Sequence, residues 1–193
     1  MRSRRAFPIA ILLCLTFVGG ADAFDGQRKG FVLGAGLGGG VYTFTQALDM
    51  TKSDRVTKGV ITTDFRIGGG LNDEFVLCWH ARTSWFGIEN ALGDEVTIAS
   101  GVVGLGLIIH PDPEANRWYF SGTLGLSSWG APLESGVETW WGFGAKLGVG
   151  LEFVPHWGVE LSLGMGTPDS TEDFLRASTD FYVAELTIVG LAY

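Results

Sequence analysis

Apolar and polar residues alternate one by one along most of this chain after its first two dozen positions. Phe31, Leu33, Ala35, Leu37 and Val41 alternate with Gly34, Gly36, Gly38 and Gly40. Ile61, Thr63, Phe65 and Ile67 alternate with Thr62, Asp64, Arg66 and Gly68, and Phe75, Leu77, Trp79, Ala81 and Trp85 with Cys78, His80, Arg82 and Ser84. The same rhythm runs through Val103–Ile109, Phe120–Leu126, Trp141–Phe153 and Val159–Met165, and an eighth segment covers roughly Asp180–Tyr193. A repeat of two is the signature of strands with unlike faces, because successive side chains leave a strand on opposite sides. About eight antiparallel strands are predicted.

Their connections alternate in length. Asn72-Asp73-Glu74, Pro111 to Asn116 and Val154-Pro155-His156 are tight, whereas Gln46–Lys58, Glu89–Asp94, Gly130–Glu138 and Thr167–Thr179 are longer or more polar. Hairpins of this kind gather short turns at one end and long loops at the other.

The start of the chain reads differently. Arg2, Arg4 and Arg5 precede the apolar run Ala6–Val18, and Ala21-Asp22-Ala23 has the small-x-small form of a signal-peptidase site. A cleaved export signal over residues 1–23 is expected, with the mature domain, 24–193, beginning near Phe24. The run is short of the ~20 residues of a spanning helix. Leu13 before Cys14 lacks the small residue of a lipidation site.

Composition narrows the class. Hydrophobic residues make up 46% of the chain and charged residues 18%, with 30 glycines, yet no later apolar run is long enough for a membrane helix. A closed β-barrel is the other backbone arrangement that satisfies its own hydrogen bonds in lipid. Removing the signal takes away three arginines and one aspartate, leaving a net charge of −10. So acidic a chain is a poor ligand for nucleic acid. Cys78 is then the one thiol left, so no internal disulfide is available.

Alternation alone does not say which face points inward. A soluble exported lipocalin-like barrel binding a small apolar ligand also alternates, with its apolar face inside. Two features favour the opposite facing. The polar face is mostly Gly, Ser and Thr, which suits a narrow lumen. Aromatics also collect in two bands: Phe31, Phe75, Trp118, Tyr119, Phe120, Phe153, Trp157 and Tyr193 near the short turns, and Tyr42, Phe44, Trp85, Phe86, Trp129, Trp140, Trp141, Phe181 and Tyr182 near the long loops. Both are expected as outward girdles at the two membrane interfaces. The fold class is thus all-β, a closed antiparallel up-and-down transmembrane β-barrel.

With its signal, hairpin rhythm and segments such as Gly142–Gly166 (GFGAKLGVGLEFVPHWGVELSLGMG), the mature chain resembles the small eight-stranded outer-membrane barrels, the OmpA transmembrane domain, OmpX and OmpW among them. The resemblance implies an outer-membrane location in a Gram-negative-type bacterium. It also implies outer-membrane lipids, including lipopolysaccharide, as surroundings, and periplasmic chaperones and the barrel-assembly machinery as biogenesis partners. Tyr193, the final aromatic, is the assembly signal it implies. Counting back from Tyr193 by twos gives Leu191, Val189 and Thr187 as outward residues and then the charged Glu185, which implies either a bulge that shifts the register or the opposite facing for this strand.

Seven charged residues fall on the inward face: Asp64, Arg66, His80, Arg82, Lys146, Glu152 and Glu160. With Leu71 opposite Phe75, the Asn72–Glu74 turn sets Asp64 across from Arg82 and Arg66 across from His80, since strand register fixes every facing at once. Lys146 is expected near the level of Asp64, with Glu152 and Glu160 lower. Such a set acts either as a plug of mutually satisfied charges or as a selectivity site. Catalysis is not expected. His80 points inward, and His110 and His156 lie at the short-turn end, so none stands where an acyl-processing serine at the outer leaflet needs its base. Cys78, His80 and His110 do not make a metal site, which wants three or four convergent ligands, and the Gly34–Gly40 run lacks the Lys-Ser/Thr and helix of a phosphate loop. No cofactor is expected. The functional expectation is a structural envelope component or a narrow conduit for small molecules, apolar or not.

Overall fold

A computed structural model describes residues 28–48, 51–89, 93–112, 117–170 and 177–192. The expected signal and its cleavage point, most of the Pro111–Asn116 turn and Tyr193 lie outside the described residues.

Among the described residues every regular element is a strand: β1 (Gly30–Leu48), β2 (Thr51–Lys52), β3 (Val56–Gly70), β4 (Phe75–Glu89), β5 (Glu95–Ile109), β6 (Trp118–Gly130), β7 (Trp140–Val154), β8 (Trp157–Asp169) and β9 (Ala177–Ala192). Neighbours in sequence pair antiparallel, and β9 pairs with β1, so eight strands close into a barrel. The closing seam runs from Leu33 opposite Ala192 to Leu48 opposite Ala177. The two-residue β2 pairs only with the end of β1. Closure leaves no barrel strand with an open edge, which a bilayer requires. The eight barrel strands are 13–19 residues long, longer than the ~10 that cross a bilayer. They run into segments expected to be loop: β1 continues to Leu48 and β8 to Asp169.

The turns are built from local chemistry. Asn72 Oδ1 accepts hydrogen bonds from the N–H groups of Glu74 (2.9 Å) and Phe75 (2.7 Å), and Leu71 N–H donates to Phe75 O. That side-chain-closed turn pairs Asp64 with Arg82 and Arg66 with His80. The Val154-Pro155-His156 turn is shorter than expected. Val154 pairs with Trp157, leaving Pro155 and His156 as its two central residues, with His156 at φ 69°. Proline followed by a positive φ is the dihedral pattern of a type II turn. The extra residue is taken up by a bulge between Glu152 and Val154, which leaves Phe153 and Val154 both exposed.

Inside and outside divide as the pleat requires. Leu37, Ile61, Leu105, Leu124, Leu147 and Leu163 are exposed outward, while Thr62, Asp64, Arg66, Ser100, Thr123, Glu160 and Thr187 are buried inward. An apolar exterior around a polar centre is the reverse of a lipocalin-like barrel, and sets that alternative aside. Glycines make room in the narrow interior. A Cβ at Gly40 would lie 2.1 Å from the carbonyl oxygen of Ala184 on β9, so β1 reaches its partner only with glycine there.

Two expectations about facing are corrected. In β9, Phe181, Val183, Glu185, Thr187, Val189 and Leu191 point inward, and Tyr182, Leu186 and Ile188 outward. The set counted back from Tyr193 is therefore the lumen set, and Glu185 needs no bulge. The aromatic band at the long-loop end also divides. Trp141 and Tyr182 face out, but Tyr42, Phe44, Phe86, Trp129 and Phe181 are buried inside. Consecutive aromatics such as Phe181-Tyr182 cannot share a face, because neighbouring strand residues point opposite ways. At the other end Phe31, Trp118, Phe120, Phe153 and Trp157 are exposed, and among the described residues of that band only Tyr119 turns in.

Candidate functional site

The lumen is filled in three layers. Near the long loops, Tyr42, Phe44, Phe86, Trp129 and Phe181 pack with Val60, Ile98, Val102 and Val183. Ring centroids lie 4.8 Å apart for Tyr42–Phe86, 4.9 Å for Phe44–Trp129 and 5.0 Å for Tyr42–Phe181, spacings at which aromatic pairs attract. Tyr42 Oη and Ser100 Oγ share a hydrogen bond of 2.5 Å. Near the short turns, Val32, Val76, Cys78, Ile108, Tyr119, Val189 and Leu191 form a second apolar layer.

An ion cluster lies between them. Asp64, from β3, accepts Arg66 Nε at 2.8 Å on Oδ1 and Arg82 Nε at 2.6 Å on Oδ2, where His80 Nε2 also lies at 2.7 Å. Glu160, from β8, accepts Arg66 Nη2 at 2.8 Å, Arg82 Nη2 at 2.8 Å and Lys146 Nζ at 3.0 Å. His80 Nδ1 reaches Thr123 Oγ1 at 2.6 Å, and Arg82 Nη1 donates to Ser162 Oγ. Glu185 completes the set. Thr62 and Ser84 hydroxyls donate to its Oε1, and Arg82 Nη1 stands 3.8 Å from Oε2. Three carboxylates thus meet two guanidiniums and one ammonium, all nearly without solvent contact. Isolated charges in such a place cost several kcal/mol each, which paired, hydrogen-bonded partners offset.

Six of the seven residues singled out from sequence meet in this cluster. Glu152 does not: it pairs with Arg28, on the turn side of Glu160. Glu185, with Thr62, Ser84, Thr123 and Ser162, was missed as a member. The alternation of Phe181, Val183, Glu185 and Thr187 was the available signal, and only the facing assigned to it hid the residue. Among the described residues no group of His, Cys, Asp and Glu is arranged to hold a metal ion. His156 Nδ1 lies 3.1 Å from Leu191 O, and both ring nitrogens of His110 are buried without a hydrogen-bond partner among the described residues.

A closed sheet with an aliphatic outer belt, aromatic rims and a charged centre is the build of a transmembrane β-barrel. The chain is similar in fold to several solved barrels. The outer membrane protein OprG of Pseudomonas aeruginosa is 13% identical, with 86% of this chain and 97% of that one covered and a TM-score of 0.47. Neisserial surface protein A is 13% identical, with 82% and 96% covered and a TM-score of 0.47. The attachment invasion locus protein Ail of Yersinia pestis is 12% identical, with 82% and 99% covered and a TM-score of 0.46. No protein-family model and no curated protein matches this chain. At such identities these are likenesses of architecture; the barrel itself is established by the strand registers and the burial described above.

Proposed function

We propose that this chain is an exported outer-membrane barrel, cleaved after Ala23, whose lumen is shut by its own side chains and which serves as a structural component of the envelope. The observation that carries this reading is the filled interior. An ion cluster of Asp64, Arg66, His80, Arg82, Lys146, Glu160 and Glu185, balanced in charge, is enclosed between two apolar layers. Charges paired in this way, with only Arg66 Nη1 of the cluster's cationic nitrogens left without a hydrogen-bond partner among the described residues, act as a plug rather than as an open selectivity ring. Lipopolysaccharide and other outer-membrane lipids surround the barrel in this reading, and chaperones and the barrel-assembly machinery, reading Tyr193, deliver it. It assigns no catalysis and no cofactor. The experiment is insertion of the refolded protein into planar bilayers, with folding checked by gel mobility. A silent membrane is the expected result, and resolvable conductance steps would overturn the plug.

One observation favours a conduit for small apolar molecules as the second reading. At the long-loop end a concavity of about 300 Å3 is bordered by Ile98, Trp129, Val137 and Trp140, directly over the aromatic layer. Faster entry of a small apolar solute into proteoliposomes than into protein-free vesicles would decide for it.

A further inference from the structure

The outer surface carries a groove that joins a cationic pocket at the rim to the apolar belt below. Because barrel strands are tilted, a row of register partners descends obliquely around the barrel. One such outward row is Tyr182, Met165, Ala145, Leu124 and Leu105, each paired with the next. The row beneath it holds Leu163, Leu147, Gly122 and Leu107. Ala145 and Gly122 are small where their neighbours are long, and a trough of about 730 Å3 with almost wholly apolar walls lies there. At its upper end Tyr182, 63% exposed, also borders a second concavity of about 290 Å3, formed with Thr43, Thr45, Lys52, Arg55 and Asp180. Thr43 is the register partner of Tyr182 and Thr45 that of Asp180, so the pocket continues the groove across the β1–β9 seam.

The charges there are unequal. Lys52 Nζ stands 3.9 Å from Asp180, while Arg55 is exposed and makes no ion pair among the described residues. Two cations face one carboxylate at the edge of an apolar belt, beside two threonine hydroxyls. A cation at that boundary attracts an anionic headgroup, and an apolar trough leading from it accommodates the attached chain.

We propose that the Lys52–Arg55 pocket and the Tyr182–Leu105 groove together form a binding site for one phosphate-bearing membrane lipid, its phosphate on Lys52 and Arg55 and an acyl chain along Ala145 and Gly122. The site rests on the membrane-barrel reading but not on whether the lumen conducts. Native mass spectrometry of the detergent-solubilised full barrel tests it, with dioleoyl phosphatidic acid, dioleoylglycerol and inorganic phosphate as separate probes. One phosphatidic acid should be retained per barrel in preference to dioleoylglycerol. The Lys52→Gln, Arg55→Gln double variant should hold it about tenfold or more weakly, given the attraction each basic residue adds near a charged surface. Ala145→Phe, which fills the groove and leaves the charges alone, should weaken it as well. Equal retention of dioleoylglycerol would mean that the cations contribute nothing and would overturn the proposal. Inorganic phosphate binding as tightly as the lipid, or a double variant no weaker than wild type, would overturn it too. All three substitutions lie on the exterior, and unchanged gel mobility shows that both variants still fold.

Discussion

Asp64 and Arg82 face each other across β3 and β4, and each has a further partner: Arg66 for Asp64, Glu160 for Arg82. Arg82→Met removes one cation and leaves a carboxylate in excess, a change that costs roughly 3–5 kcal/mol at buried pairs. Adding Asp64→Asn restores the balance at two carboxylates and two cations, and should recover a large part of the loss. Urea unfolding in lipid of the four proteins of this double-mutant cycle measures the coupling; additive changes would mean that the pair does not interact. The opposite sign is expected at Tyr119. Its hydroxyl is buried without a partner among the described residues, and an unmet buried polar group costs roughly 1–3 kcal/mol. Tyr119→Phe should therefore raise the urea midpoint, and a fall would show that the hydroxyl is engaged.

Among the elements, hairpins were the legible unit. A three-residue turn fixes its two strands, so the Asp64–Arg82 and Arg66–His80 pairings followed from parity alone. Lys146 and Glu160 meet because β7 and β8 are likewise joined by a tight turn. Glu152 was placed too near them because levels counted up from separate turns ignore the barrel's shear, which offsets distant strands; its own partner, Gly158, is the one a three-residue turn gives. Glu185 was misread because its facing depends on the β1–β9 seam, a pairing between the most distant strands, which no turn specifies. The five inward aromatics were hidden for another reason: aromatic clusters at strand ends look alike whether they ring the membrane or cap a lumen. The facing of β7 has a direct test. Leu147 is 72% exposed, and Leu147→Arg should destabilise the inserted barrel by roughly 2–4 kcal/mol if it lies at mid-bilayer. Guanidine titration of the variant against wild type in the same lipid gives the number, and a tolerated arginine would reverse the assigned faces.

For the whole molecule, the layers bear on what keeps the lumen shut. Apolar packing stands on both sides of the ions, so the ion cluster need not itself be the barrier. The charge-balanced Asp64→Asn, Arg82→Met variant is therefore expected to stay silent in planar bilayers. Current should appear only when both apolar layers are thinned in that same variant, as with Phe44→Ala, Trp129→Ala and Tyr119→Ala added to it. If the charge variant alone conducted, the barrier would be the ions.

The seam between β1 and β9 also governs how the chain arrives at this state. It joins Leu33 to Ala192, so the most sequence-distant contacts in the fold are also the ones that seal it. Contacts of such separation form slowly, because a long stretch of chain must be gathered before they stabilise anything. Until then β1 and the last strand to arrive are bare edges, ready to pair with any other chain. A ribosome product ending before β9 would not settle as a seven-stranded version, since Phe181, Val183 and Glu185 would be missing from the interior. It would remain an open sheet with bare edges, so the fold exists only once its last strand has arrived.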